Sequence, residues 1–390
     1  MAPTSGENTS DYAKEQQAVL DEEIGHVRLI TLNNPSKLNI ITPEVVKRLA
    51  VLYEKWEKAD DVEIIIIKGV GRAFCAGGDL RMFYHGKAEK HVIEAVYKMY
   101  WLEYHIHTYK KLLVAIVHAT AMGGGASLTV PSTFTVVTEK TVLAAPEAGL
   151  GFHTDASLSY ILSHLPGHLG EYLALTGARV DGADMLSIGL GTHYVPSEKL
   201  PELEKCLVNL KSGDKGIVRA AIEEFSIEVQ LGEKSILHNR LLIDKCFSND
   251  TVEEIVESLI AEGNIEGNDW IQGIIKILKR SSPTGLKMTL KSVRQARNQT
   301  LGECLKKEFR LTLNTLRGVI SNDMYEGIRA QTIDKDFSPK WNPTSLSEIT
   351  EEKLDLVFQA FDEEFELQIP QEEKIPRWEG KFESSGYNVQ

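Results

Sequence analysis

The chain has 390 residues, 42% hydrophobic and 25% charged, which is enough apolar material for about two structural units and too much for a wholly disordered chain. Its 43 basic residues stand against 56 acidic ones, a formal net charge of -13. That sign disfavours nucleic acid as a partner, because phosphate binding would need a basic patch working against the field of the whole protein.

At the N-terminus, Met1 to Gln17 is polar, with no apolar core and no arginine, and reads as neither a secretory signal nor a mitochondrial presequence. Residues 1–21 are expected to form a flexible polar arm. The alternation of strand-like and helical runs then begins. His26 to Leu32 is β-rich and stops at Asn33-Asn34-Pro35. Thr42 with Pro43 behind it is an N-cap and first-turn pair, and Val45, Val46, Leu49, Leu52, Tyr53 and Trp56 recur at helical spacing. Val62 to Lys68 lacks polar alternation, which fits a strand covered on both faces. Leu112 to Val117 and Phe134 to Thr138 are two more strands, the latter with a hairpin-like return at Glu139 and Lys140. Strands separated by helices or long loops give an α/β core over 22–196.

After Ser197 the strands stop. Pro201–Lys211, Ile217–Phe225, Val252–Glu262, Trp270–Lys279, Leu286–Ala296, Leu305–Leu316 and Lys353–Leu367 are amphipathic, so 197–390 is expected to be mainly helical. No apolar run approaches the roughly 18 residues that span a bilayer. The cysteines Cys75, Cys206, Cys246 and Cys304 form no C-x-x-C pair, so neither a disulfide framework nor a zinc knuckle is readable. The last residues, Asn388-Val389-Gln390, are not a peroxisomal S-K-L address.

Several chemistries are missing: there is no G-x-S-x-G elbow, no phosphate-binding G-x-x-x-x-G-K-[ST] loop and no H-E-x-x-H helix. What stands out is a pair of glycine-rich turns, each following a buried strand. The first runs Phe74-Cys75-Ala76-Gly77-Gly78-Asp79-Leu80, the second Met122-Gly123-Gly124-Gly125-Ala126-Ser127. Glycine lets a backbone approach a ligand and leaves N–H groups pointing outward. Two such groups converging from separate turns make an oxyanion hole; tight strand-to-helix packing is the competing reading of either turn alone. A third segment, Ala145 to Asp155, carries Glu147 and Asp155 eight positions apart in a small-residue loop, where burial can raise a carboxyl pKa for acid, base or nucleophile duty. A solvated loop carboxylate is the bland alternative. His153 lies between them and has no spaced partner, which is the pattern of a structural hydrogen-bonder.

The segments FCAGGDL, MGGG and APEAGLGFHTD, with Leu165 to Pro196, Ser282 to Val293 and Met324 to Pro343, resemble the crotonase (enoyl-CoA hydratase/isomerase) superfamily. Within it they look like the 3-hydroxyisobutyryl-CoA hydrolases, in particular the plant hydrolase-like branch. The resemblance implies a crotonase-like spiral of ββα units with a mainly helical C-terminal region, which covers the site and supplies contacts for a homo-oligomer. It implies an acyl-CoA substrate, no cofactor beyond that substrate's coenzyme A, no metal, no membrane and a part in valine catabolism. It also implies a mitochondrial location, with cytosol and peroxisome left open and secretion excluded.

Carried over by position, the resemblance assigns Glu147 and Asp155 as catalytic, and the N–H groups of Ala76 and Gly124 as the hole for the thioester oxygen. Gly77, Gly78, Asp79 and Gly123 become substrate-binding with them. Ser127 stands where hydratases place one of two catalytic glutamates, which argues against hydration. Thr154 precedes Asp155 where the hydrolases commonly have proline. The family's substrate-contacting glutamate aligns with Met99, and Glu103 lies one turn further on. Lys37 and Arg72 are candidates for the nucleotide end of coenzyme A, or solvated surface cations. The leading expectation is hydrolysis of a short β-hydroxyacyl-CoA such as 3-hydroxyisobutyryl-CoA. Another crotonase activity, hydration or isomerisation, and a non-catalytic place in the mitochondrial ribosome are the alternatives.

Overall fold

The computed structural model describes residues 18–265 and 270–370. Among these residues ten strands form two sheets. The larger has the order β1 (Val19–Ile24), β2 (Val27–Leu32), β3 (Ile64–Gly69), β5 (Leu112–Val117), β7 (Phe134–Val137), β10 (His193–Tyr194); the smaller has β4 (Ala73–Cys75), β6 (Thr120–Met122), β8 (Val142–Ala144), β9 (Val180–Asp181). All pairs are parallel except β1–β2 and β8–β9. Each long strand is followed at once by a short one in the other sheet: β3 by β4, β5 by β6, β7 by β8. The repeats stack in register, Ile64 beside both Val27 and Leu112, and Thr120 beside both Ala73 and Val142. This is a spiral of ββα units in which the ends of β4, β6 and β8 lie side by side.

Strand β3 explains the sandwiching. Ile64, Ile65, Ile66 and Ile67 are all fully buried, each contributing roughly 1.5–3 kcal/mol by burial. Ile65 and Ile67 face α1 (Pro43–Lys58) through Val45, Leu49, Tyr53 and Trp56, whereas Ile64 and Ile66 face Leu203, Leu207, Val218 and Ile222 of two later helices. The expected cap holds: the Thr42 side chain accepts from the Val45 N–H, with Pro43 in the first turn.

The remaining helices in chain order are α2 (Leu80–Gly86), α3 (Lys90–His107), α4 (Gly124–Ser127), α5 (Leu158–Ser163), α6 (Leu169–Thr176), α7 (Gly182–Ser187), α8 (Leu200–Val208), α9 (Lys215–Glu223), α10 (Arg240–Phe247), α11 (Val252–Gly263), α12 (Trp270–Arg280), α13 (Pro283–Ala296), α14 (Leu301–Leu316), α15 (Asp323–Ile328) and α16 (Glu351–Phe358). No strand follows β10 among the described residues. One buried cluster joins α6 to α10, α11, α12 and α13. Another joins α3 to α14 and α15, so the helical half closes over the front of the α/β half. Helix α14 starts at a capping box of Thr300 and Glu303.

Three expectations change. The polar arm ends early, because Val19 is buried and pairs with Leu32 in a β1–β2 hairpin; residues 1–17 lie outside the described residues. The turn at Glu139-Lys140 does not fold β8 back on β7: hydroxyl and backbone bonds between Thr138 and Thr141 turn the chain into the smaller sheet instead. The last helix stops at Phe358, since the segment beyond it straps across α3, where Leu367 is buried and the Tyr104 hydroxyl donates to the Pro370 carbonyl.

Candidate active site

The three segments singled out in the sequence follow β4, β6 and β8, and parallel pairing of those strands brings them to one edge. They surround a cavity of about 410 Å³, closed on its far side by α3 and α14. Ala76, Gly77, Gly78, Asp79, Glu103, Gly123, Gly124, Glu147 and Asp155 all border it. Lys37 and Arg72 do not: both are exposed, outside the cavity wall.

The first turn is pinned by a one-residue parallel bridge. The Ile41 N–H donates to the Gly77 carbonyl at 2.8 Å and the Asp79 N–H to the Ile41 carbonyl at 3.1 Å. Strand alternation turns the Gly78 N–H the other way, and it has no partner among the described residues. Ala76, expected to supply an oxyanion donor, has its N–H committed to the Leu38 carbonyl at 3.0 Å. Gly78 therefore replaces it as the free donor of this turn. Asp79 spends its carboxylate on α2, accepting from the Arg81 and Met82 N–H groups.

In the second turn Gly124 is the first residue of α4, so its N–H has no intrahelical partner. Gly77 brings the two turns together: its φ is +97°, and a Cβ there would stand 3.0 Å from the Met122 carbonyl oxygen. Gly123 has φ +50°, and a Cβ on it would meet Glu147 Oε1 at 2.7 Å. The Glu147 carboxyl thus points its Oε1 at the second glycine turn. Glu147 is 7% exposed, and its Oε2 has no hydrogen-bond partner among the described residues. Burial pushes its carboxyl up to about 8, and the Glu308 carboxylate adds to the effect.

Asp155 is held well above the ordinary carboxyl range, by burial first and then by the charges of Glu147 and Glu308. The residues behind it, Ala156 (φ 58°) and Ser157 (φ 64°), are both left-handed without being glycine. The Ser127 hydroxyl donates to the Ala156 carbonyl, so Ser127 supports this elbow. His153 is fully buried between the Thr154 carbonyl (3.1 Å from Nδ1) and the Thr312 hydroxyl (3.0 Å from Nε2), and the Tyr100 hydroxyl lies 2.9 Å from the same Thr312 oxygen. Burial holds the imidazole down to about 3, which leaves it neutral and structural.

Glu103 has no exposed surface, and neither oxygen has a hydrogen-bond partner among the described residues. Burial, then Glu308 and Asp155, hold its carboxyl well above the ordinary range. Glu308 itself was not anticipated. It is a fully buried carboxylate on α14 between Leu305 and Phe309, and a charge on the apolar stripe of an amphipathic helix was the signal that marked it. No group of histidine, cysteine, aspartate or glutamate among the described residues could hold a metal ion, and no described helix is long and apolar enough to cross a membrane.

Two unpartnered N–H groups beside a carboxyl of raised pKa, in an apolar cavity, can polarise a carbonyl and deliver a nucleophile or base to it. The family model for Enoyl-CoA hydratase/isomerase matches residues 27–358. The chain is 58% identical over 375 residues to 3-hydroxyisobutyryl-CoA hydrolase-like protein 5 of Arabidopsis thaliana, covering 96% of this chain and 97% of that protein. It is 40% identical over 379 residues to the small ribosomal subunit protein mS47 of the same plant, covering 95% of this chain and 92% of that one. The solved structure of a carnitinyl-CoA dehydratase from Mycobacterium thermoresistibile is similar at a TM-score of 0.82 and 34% identity, covering 91% of this chain and 100% of that one. With a family model spanning most of its length and relatives matched end to end, the chain belongs to the enoyl-CoA hydratase/isomerase family, the crotonases.

Proposed function

We propose that the protein hydrolyses the thioester of a short β-hydroxyacyl-CoA, with 3-hydroxyisobutyryl-CoA as the preferred substrate, releasing the hydroxyacid and coenzyme A. The observation that carries this is the Glu147 carboxyl lying against Gly123, next to the unpartnered N–H groups of Gly78 and Gly124. The name of the 58% identical relative, a 3-hydroxyisobutyryl-CoA hydrolase-like protein, supports the acyl group. Ser127, spent on the Ala156 carbonyl, leaves the second glycine turn without the carboxylate a hydratase needs.

The thioester oxygen accepts from Gly78 and Gly124, which hold the negative charge as the carbonyl carbon becomes tetrahedral. Ionised Glu147 either attacks that carbon, expelling the thiolate and leaving a mixed anhydride that water opens, or takes a proton from the attacking water. Asp155 holds the β-hydroxyl and relays a proton. Both routes need the Glu147 carboxylate. Because its pKa is raised to about 8, the protonated form predominates at neutral pH, and kcat/KM should climb about tenfold per pH unit until it levels near pH 8.

A second reading rests on the 40% identity to a small ribosomal subunit protein, which favours a chain kept for assembly rather than turnover. Purified protein assayed in parallel with 3-hydroxyisobutyryl-CoA, 3-hydroxypropionyl-CoA and crotonyl-CoA separates the readings. Thiol release from the first two is expected; hydration of crotonyl-CoA would replace the hydrolase reading, and inertness to all three would favour the second.

A further inference from the structure

The elbow after Asp155 is held by a carboxylate that belongs to neither glycine turn. Glu308 Oε2 accepts the Ser157 N–H at 2.8 Å, and Oε1 accepts the Ser159 N–H at 3.1 Å together with the Ser159 hydroxyl. All three partners donate, which is what an ionised carboxylate needs and what a protonated one could not fully use. Two consecutive left-handed residues that are not glycine are strained and persist only where the surroundings over-determine them. Here the surroundings are Glu308, the Ser127 hydroxyl and His107, whose Nε2 lies 3.0 Å from the Ser157 hydroxyl.

We propose that Glu308 is the positioning residue of this site: the three hydrogen bonds it accepts fix the elbow that presents Asp155, and its carboxylate, when ionised, is a buried charge beside the other carboxyls of the cavity. The groups that face it decide the second half of that statement. From its own helix come Cys304, whose Sγ lies 3.8 Å from Oε1, and Lys307, whose ammonium is turned to the Ser292 carbonyl at 2.6 Å. Helix α3 contributes Tyr100, Glu103 and His107; the loop after β8 contributes Glu147, His153 and Asp155. Burial keeps His107 down to about 4 and His153 to about 3, so both are neutral and Lys307 is the one cation of this group. The charge on Glu308 is felt by Glu103, Glu147 and Asp155 alike, each already raised by burial. Burial is the larger cause at each of them, and it raises Glu308 as well, against the pull of Ser159, Lys307 and Ser157, so Glu308 adds to what burial does to Glu147 rather than replacing it.

The kinetic consequence rests on the hydrolase reading, so the test needs a readout that does not. In protein carrying carboxyl-13C-labelled glutamate, the Glu147 signal is assigned by its loss in Glu147→Gln and titrated by NMR. In Glu308→Gln the Glu147 midpoint should fall by about one pH unit, and the acidic limb of kcat/KM should fall with it. Glu308→Asp keeps the charge but draws back from the two amides. Its midpoint should stay, while kcat falls about tenfold at unchanged KM and the Ser157 and Ser159 amides exchange faster with solvent. An unmoved midpoint in Glu308→Gln overturns the electrostatic role, and wild-type amide exchange in Glu308→Asp overturns the positioning role. If Glu308→Gln does not fold, Lys307→Met removes the counter-charge and should raise the midpoint; a fall or no change overturns the proposal. Wild-type protein that cleaves no thioester, yet shows these titration and exchange changes, overturns the hydrolase reading and leaves the role of Glu308 standing.

Discussion

The cavity has two unlike halves. Its strand side consists of three turns at the ends of β4, β6 and β8, where Gly78, Gly124 and Glu147 come together because parallel neighbours in one sheet end at one level. Its helix side consists of α3 and α14, where Tyr100 meets Thr312 across 212 residues of sequence. Backbone N–H groups on the strand side are aimed by hydrogen-bond register, so little there depends on side-chain packing. The helix side works through buried side chains with unusual charge: Glu103 without a partner, Glu308 with three donors, Lys307 turned away. The strand side should therefore carry the reacting groups, and the helix side the fit, the proton inventory and the placing of Asp155.

The hardest test of that division is Glu147→Gln. Turnover should drop by at least about a thousandfold while CoA-ester binding persists, measured by thiol release and by calorimetry. The same change should stabilise the fold at high pH. A carboxyl whose folded pKa of about 8 exceeds its unfolded value favours the folded state only while protonated, and its contribution is lost as pH rises through that interval. Glu147→Gln should then gain about 1–2 kcal/mol in denaturant melts at pH 9 and less at pH 5. Near-normal hydrolysis would remove Glu147 from the chemistry.

Gly78→Pro comes next. It deletes the N–H at a position whose φ is not left-handed, and a Cβ there meets nothing closer than 3.8 Å. The loss of one oxyanion donor is worth about 2.7–4 kcal/mol, so kcat should fall about 10²–10³-fold with KM little changed. An equal effect on both constants would mean that the turn had moved.

The two halves also differ in how far sequence alone reveals them. FCAGGDL, MGGG and APEAGLG each encode a local backbone event, so the turns and the two carboxylates were legible in the residues themselves, while the crotonase spiral came from the family resemblance that these segments carry. The choice of donor was not: whether Ala76 or Gly78 points inward depends on the Ile41 bridge and on the Leu38 carbonyl, a segment more than thirty residues away. Strand pairing hides the same kind of information at Glu139-Lys140, where a tight turn is as compatible with a step into the smaller sheet as with a hairpin. On the helix side the sequence offers only an anomaly, a charge among apolar neighbours, without saying which distant helix explains it. Met99 illustrates this: its terminal carbon would stand 3.3 Å from a Cβ on Gly124, beside the oxyanion turn, while Glu103 is about one turn or 5–6 Å further along α3.

Glu103→Leu probes that side. Replacing an unpartnered buried carboxyl by an apolar isostere should raise stability by about 1–2 kcal/mol. It should also cost about tenfold in kcat/KM for hydroxyacyl substrates and little for the plain acyl thioester, the discrimination expected when a pocket loses a polar contact. If hydroxyacyl and plain acyl thioesters lose equally, Glu103 has no part in reading the hydroxyl.

The smallest effect is expected from Lys37→Ala. Lys37 ends the short 3-10 turn Pro35–Lys37, exposed and without an ion pair among the described residues, just ahead of the Leu38 and Ile41 backbone that braces the first glycine turn. A cation there can help the phosphates of coenzyme A only from solvent, against a net charge of -13, and such exposed pairs contribute about 0–1 kcal/mol. KM should therefore rise about threefold at low ionic strength, kcat should not change, and the difference should vanish near 0.5 M salt, where the Debye length is shorter than the reach of the side chain. A change in kcat, or a KM effect that survives salt, would show Lys37 acting through the Leu38 carbonyl and hence through the strand side. The division between turnover on the strands and fit on the periphery would then fail at the place where the two are joined.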